Sequence, residues 1–260
     1  MNWKVKSEQD ILYRIFANLA ISQRSICECP EFPRRERKVV ANKVIAWLEK
    51  EQGILEAMDE DEKAMIYKRV GNRDRIVQQA HWCWESEECL LWAIGLVDQI
   101  EIPYYSKNTR DLFAEIDRNT NLKPIVHNPV AMIDKYMRCD GTIDLILSKA
   151  KLRTRKEIED ERNIAMIWFW RAIEGKNVVF KREPFQTIVN RAFDDPEIFE
   201  TVKNISVSED GMDLLVGKKK KFISLDDESI KYAAACAGWR QKALEWILND
   251  ESWENTTPDN

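Results

Sequence analysis

Between His81 and Ile100 the chain reads HWCWESEECLLWAIGLVDQI, which brings a histidine, three glutamates, two cysteines and three tryptophans into one segment. His81 and Glu85 are four apart, Glu88 follows three later and Trp92 four after that, so on a helix they share one stripe. A His/Glu stripe against tryptophan could run acid–base chemistry or hold a ligand, because desolvation by indole raises a carboxylate toward neutral pKa. The candidate ligand-binding set is therefore His81, Trp84, Glu85, Glu88 and Trp92. The alternative is a partly buried polar seam whose charges meet arginines on neighbouring helices. His81-x3-Glu85 lacks the second histidine of the helical zinc-protease motif.

One such arginine is Arg240. It falls among Ala233, Ala243 and Ile247 on the last helix, where an unpaired charge would be costly. Glu85 is the candidate partner, and a Glu85–Arg240 structural clamp would join the first half of the chain to its end.

Other motifs are sparse. Cys27-x-Cys29 has no second pair or nearby histidine to complete a zinc set, so no metal site is expected. There is no phosphate-loop glycine pattern and no Gly-x-Ser-x-Gly, so no catalytic motif is found and no cofactor is predicted. Lys218, Lys219, Lys220 and Lys221, followed by Phe222, form one local basic patch that reads either as a nucleic-acid contact or as a solvated turn. The paired carboxylates of Phe193–Glu197 (FDDPE) also fit an ordinary turn.

Helices must position these groups. Ser7 caps a predicted helix to Leu19, and Arg34–Gln52 continues the helical pattern with Gly53 as its stop. Asp59–Val70 begins with acids and closes with bases, the polarity that suits a helix dipole. Further helices are predicted over Asp74–Asp98, Asn108–Asp117, Pro129–Leu152 and Thr154–Glu174. A short extended piece is expected after Gly175, then weak helical periodicity over Pro184–Lys203 broken by Pro196. A hairpin or irregular excursion is predicted near residues 212–225, and a last helix, capped by Asp226 or Asp227, runs to about Asn249. On the opening helix, Trp82, Cys89, Ala93 and Leu96 form the core face, while Glu87 falls on the opposite, mixed side.

Eight glycines and eight prolines in 260 residues, with long charged and apolar helical stretches, favour helices over a many-stranded sheet. The expected class is mainly α, a multi-helix globular bundle forming a single domain over 1–260, with possible subdivision near 101–108 or 175–184. A net charge of −5 argues against a general nucleic-acid footprint. The charged start MNWKVKSEQDILYRIF lacks a signal peptide's apolar region, and the longest apolar run, Cys89–Val97, is too short to span a bilayer. A cytoplasmic protein without membrane partners, its six cysteines reduced, is expected.

At WCWESEECLLWAIG and WRQKALEWIL the chain resembles a bacterial family known as domain of unknown function 4272. Trp82, Glu85, Leu90, Leu91, Trp92, Ala93 and Gly95 carry the first match, and Arg240, Ala243, Leu244 and Trp246 the second. Cys83 stands where the family usually has arginine and Ser86 where it has alanine. Gln241 and Glu245 replace a histidine and an asparagine. The resemblance runs from about Arg14 to the C-terminal end and implies a predominantly helical, soluble single-domain protein of unassigned activity, with no catalytic residue to carry over.

Two functions follow as expectations. The first is a noncatalytic helical interaction protein, accessory or immunity-like, that engages a protein partner through an acidic, aromatic-rich surface. The second is an enzyme or small-ligand binder using the pocket on the 81–92 helix.

Overall fold

The computed structural model describes residues 5–28, 32–71, 83–103, 142–216 and 219–257. Among them are ten α-helices: α1 (Glu8–Ile26), α2 (Arg34–Lys50), α3 (Gln52–Glu56), α4 (Glu60–Tyr67), α5 (Cys83–Ala93), α6 (Thr142–Leu147), α7 (Arg155–Glu174), α8 (Phe185–Phe193), α9 (Pro196–Val202) and α10 (Asp227–Leu248). The protein is mainly α.

Local chemistry sets several boundaries. Ser7 and Asp10, Asp59 and Glu62, and Thr154 and Glu157 form reciprocal capping pairs at the starts of α1, α4 and α7. Asp226 caps α10 by accepting from the Ser229 amide. Pro196 opens α9 behind its cap Asp195, and Asp194 takes a left-handed φ of 49°, so FDDPE is a helix-to-helix turn.

Some expectations fail. α1 continues past Leu19 to Ile26 because its polar last turns are buried; Arg24 bridges Glu28 at 2.7 Å and donates to the Lys68 carbonyl at 2.8 Å. Gly53 is no helix stop. It lies inside α3, where an added Cβ would come within 2.5 Å of the Tyr13 ring. The piece after Gly175 is a 3-10 turn, Val178–Lys181, rather than an extended segment. Of the hairpin or irregular excursion expected near 212–225, the described residues show the irregular form, with two isolated antiparallel bridges, Val207 with Leu214 and Leu215 with Lys221. The predicted helix Asn108–Asp117 and the 129–141 part of Pro129–Leu152 lie outside the described residues.

α5 ends at Ala93, not Asp98. Gly95 adopts φ 69°, the Leu96 amide donates to the Leu91 carbonyl at 3.0 Å and the Gly95 amide to that of Trp92 at 2.9 Å. This is a glycine-terminated helix end, and it satisfies carbonyls that the helix itself leaves open. The incoming chain completes the cap: Lys151 and Arg153 donate their amides to the carbonyls of Ile94 and Ala93, each at 2.8 Å.

α7 and α10 form the most extensive helix pair. They run antiparallel, as the Arg162–Glu245 bridge at 2.9 Å and the approach of Phe169 to Gly238 show. Two apolar clusters sit along this spine. One joins α1, α2 and α5 to Ile158 and Ala165 of α7 and Leu244 and Ile247 of α10. The other joins Trp168 and Ala172 of α7 and Ala233 and Ala237 of α10 to Phe180, Phe185, Val189 and Phe222. Asp213 anchors the second: it is fully buried against Arg171 at 2.7 Å and accepts the Ile223 amide at 2.7 Å. The Arg171 guanidinium also covers the rings of Phe180 and Phe222.

Candidate functional site

α5 packs across both α1 and α10, which brings its glutamates to two different neighbours. On the α10 side, Arg240 Nη2 lies 2.7 Å from Glu88 and 3.3 Å from Glu85, with all three side chains buried. Glu88 accepts the Glu101 amide at 3.0 Å, and Arg240 Nη1 donates to the Glu101 carbonyl. Tyr232 lies at 3.5 Å from Glu85. The guanidinium thus ties α5, α10 and residue 101 together. Arg240 Nε alone among its nitrogens has no acceptor.

On the α1 side stands Glu87, fully buried, with neither carboxylate oxygen hydrogen-bonded. Burial pushes its carboxyl well above the usual range, against the pull of Arg14. Arg14 is itself engaged by Glu62 at 2.7 and 2.8 Å and by Asn18.

The structure brings Glu85, Glu88 and Arg240 together. Trp92 belongs elsewhere: its ring lies 4.7 Å from the Arg153 guanidinium, and its carbonyl accepts Arg153 Nε at 2.9 Å. His81 lies outside the described residues, as does the side chain of Trp84. Of the basic run, Lys218 is likewise outside, Lys221 is bonded to Asp210, and Lys219 and Lys220 are exposed.

Two concavities contain none of Glu85, Glu88 or Trp92. A groove of about 640 Å³ lies between the start of α1, the α3–α4 turn and the chain after α10. Among the described residues, seven carboxylates line it (Asp10, Glu56, Asp59, Glu60, Asp250, Glu251 and Glu254), with Lys6 as the one cation and Tyr13, Trp246 and Trp253 as rings. Burial pushes the Asp59 carboxyl up, and Glu62 and Glu254 add to this. Lys6 already occupies a cation position there: its Nζ is 5.3 Å from the Trp246 ring centre and donates to the Glu251 carbonyl at 2.9 Å. Trp246 and Trp253 meet edge to face at 5.5 Å.

The second is a cavity of about 200 Å³ bounded by α5, α7, α10 and residues 100–103 and 204–206. Arg240 and Glu161 are its charged side chains from the helices. Burial pushes Glu161 up to about 7, Arg240 opposing and Glu88 adding.

Of the two residues that sequence reasoning missed, Glu161 and Arg153, only Glu161 left a signal. Glu161 falls three after Ile158 and four before Ala165, hence on the apolar stripe of α7, and a carboxylate in that register is the signal. Arg153 precedes the helix and carries none. Among the described residues no group of carboxylates, cysteines or histidines is arranged to hold a metal, and no helix is long and apolar enough to cross a membrane.

No curated protein and no solved structure matches this chain. One family pattern does, over residues 2–179, a span that contains α5 and its glutamates and stops short of α10. It covers more than half of the sequence, and the chain therefore belongs to the family described as Domain of unknown function (DUF4272).

Proposed function

We propose that the protein is a noncatalytic binding protein that engages a basic segment of a protein partner in the groove between α1, the α3–α4 turn and the C-terminal residues. The observation that carries this reading is Lys6, seated over Trp246 in a groove where carboxylates alternate with aromatic rings. A lysine or arginine of a partner would find the same features: an aromatic face for the cation and carboxylates around it. The net charge of −5 favours encounter with a basic partner. Cys27, Cys83, Cys89 and Cys236, buried thiols outside any disulfide among the described residues, accord with a reducing, cytoplasmic setting.

A pocket on the Glu85 stripe is less well supported, because Arg240 engages both carboxylates there. The test of the groove is calorimetric titration of a lysine-rich decapeptide and its glutamate-rich counterpart at low and high salt. The lysine peptide should bind, more weakly at high salt, and the glutamate peptide should not. Equal binding of both would refute the reading.

A further inference from the structure

The 200 Å³ cavity shares no lining residue with the groove, and its chemistry is different. Its walls are mostly apolar, from Ile100, Ile102, Ile164, Ala165, Trp168 and Leu244. Into this lining the helices place two charged side chains, Arg240 and Glu161. Arg240 is 3% exposed with both Nη atoms engaged and its Nε buried, so it offers the cavity its charge rather than a free donor. Glu161, in the second turn of α7, is partly exposed.

The charges decide what kind of ligand the cavity suits. Glu85 and Glu88 are two carboxylates against the single guanidinium of Arg240, which leaves one negative charge before Glu161 is counted. Glu161 faces Arg240 of α10, Glu88 of α5, Arg153 ahead of α7 and Asp160 on α7 itself. An anionic ligand would add to a surplus that is already negative, whereas an ammonium group would neutralise Glu161. Size is the second constraint. An apolar cavity of roughly 150 Å³ accepts benzene, so one of about 200 Å³ has room for a ring with a short substituted chain.

We infer that this cavity is a binding site for a small amine with an apolar body, its ammonium group on Glu161 and its body against Trp168 and the isoleucines. The cationic ligand requires ionised Glu161, so binding releases the proton that this carboxyl holds in the free protein. With Glu161 at about 7 in the free protein, affinity rises with pH through that value and then levels. Between pH 6 and 8 linkage gives an increase of about tenfold.

The experiment is calorimetric titration of the full chain with phenethylamine and phenylacetate between pH 6 and 8, where the amine remains protonated. Phenethylamine should bind, phenylacetate should not, and the amine affinity should climb about tenfold over the range. Glu161→Gln, checked by circular dichroism for retention of the helices, should weaken amine binding at pH 8 at least tenfold and flatten its pH dependence. Binding of phenylacetate as tight as that of phenethylamine, absence of amine binding at millimolar concentration, or amine binding unchanged in Glu161→Gln would each overturn the assignment.

Discussion

Arg240 shows how one side chain joins parts of the sequence that lie far apart. Its guanidinium holds Glu85, Glu88 and the Glu101 carbonyl, all buried or partly buried, and removing it strands two carboxylates in a low-dielectric interior. Arg240→Ala should therefore destabilise the fold by about 3–5 kcal/mol in urea denaturation. In double-mutant cycles its coupling to Glu88, at 2.7 Å, should exceed that to Glu85, at 3.3 Å; the reverse order would mean that Glu85 carries the clamp. Glu87 gives a different prediction from the same helix. Its carboxyl stays protonated in the folded protein above the pH at which the unfolded chain ionises. The unfolded state then binds fewer protons, so the stabilising share of this group is fully present below about pH 4.5 and declines as pH rises. The limiting slope is about 1.4 kcal/mol per pH unit. Glu87→Gln should flatten the fall in stability from pH 5 to 8, measured by urea midpoints; an unchanged slope would place the titration elsewhere.

At the scale of elements, the end of α5 is fixed by Gly95 and by the chain that enters α7. An alanine at position 95 would hold a left-handed φ of 69° and set its Cβ 3.1 Å from the Lys151 carbonyl. Gly95→Ala should cost about 1–3 kcal/mol. Gly211→Ala, at φ 68° with nothing within 4 Å, should cost less because only the backbone term is present. Equal losses would show that the Lys151 carbonyl yields. This helix end also marks the limit of what periodicity could show. The apolar pattern through Leu96 and Val97 continues because both are core residues, 1% and 0% exposed, although the helix has stopped. The caps Ser7, Thr154 and Asp226 were readable because a short polar side chain ahead of an apolar stripe has a local reason to be there. The extension of α1 to Ile26 was not, since Ser22, Gln23 and Arg24 look like a solvated face until Glu28 and α4 enclose them. Likewise Glu161 could be placed on an apolar stripe, but its pKa is raised first by burial, and among the charges that adjust it Arg240 and Glu88 come from α10 and α5.

Across the whole molecule, buried arginines recur as ties between elements. Arg14 reaches Glu62 on α4, Arg24 meets the chain after α4, Arg171 holds Asp213, and Arg240 holds α5. The interior is thereby pinned by charge pairs around the α7–α10 spine, and the acidic groove lies at one edge where α1 meets the C-terminal residues. The Lys6 amide donates to the Ile247 carbonyl at 3.0 Å, so the lysine seated in that groove is held by the fold itself. Binding of a basic segment there should require displacement of the Lys6 side chain. The central claim is tested most directly by titrating the lysine-rich decapeptide into wild type, Lys6→Ala and the charge-reversed double variant Glu56→Lys/Glu254→Lys at low salt. Tighter binding by Lys6→Ala and a loss of at least about tenfold in the charge-reversed protein are predicted, the latter from the screened attraction of several surface charges. Affinity that is the same in all three proteins would contradict the account.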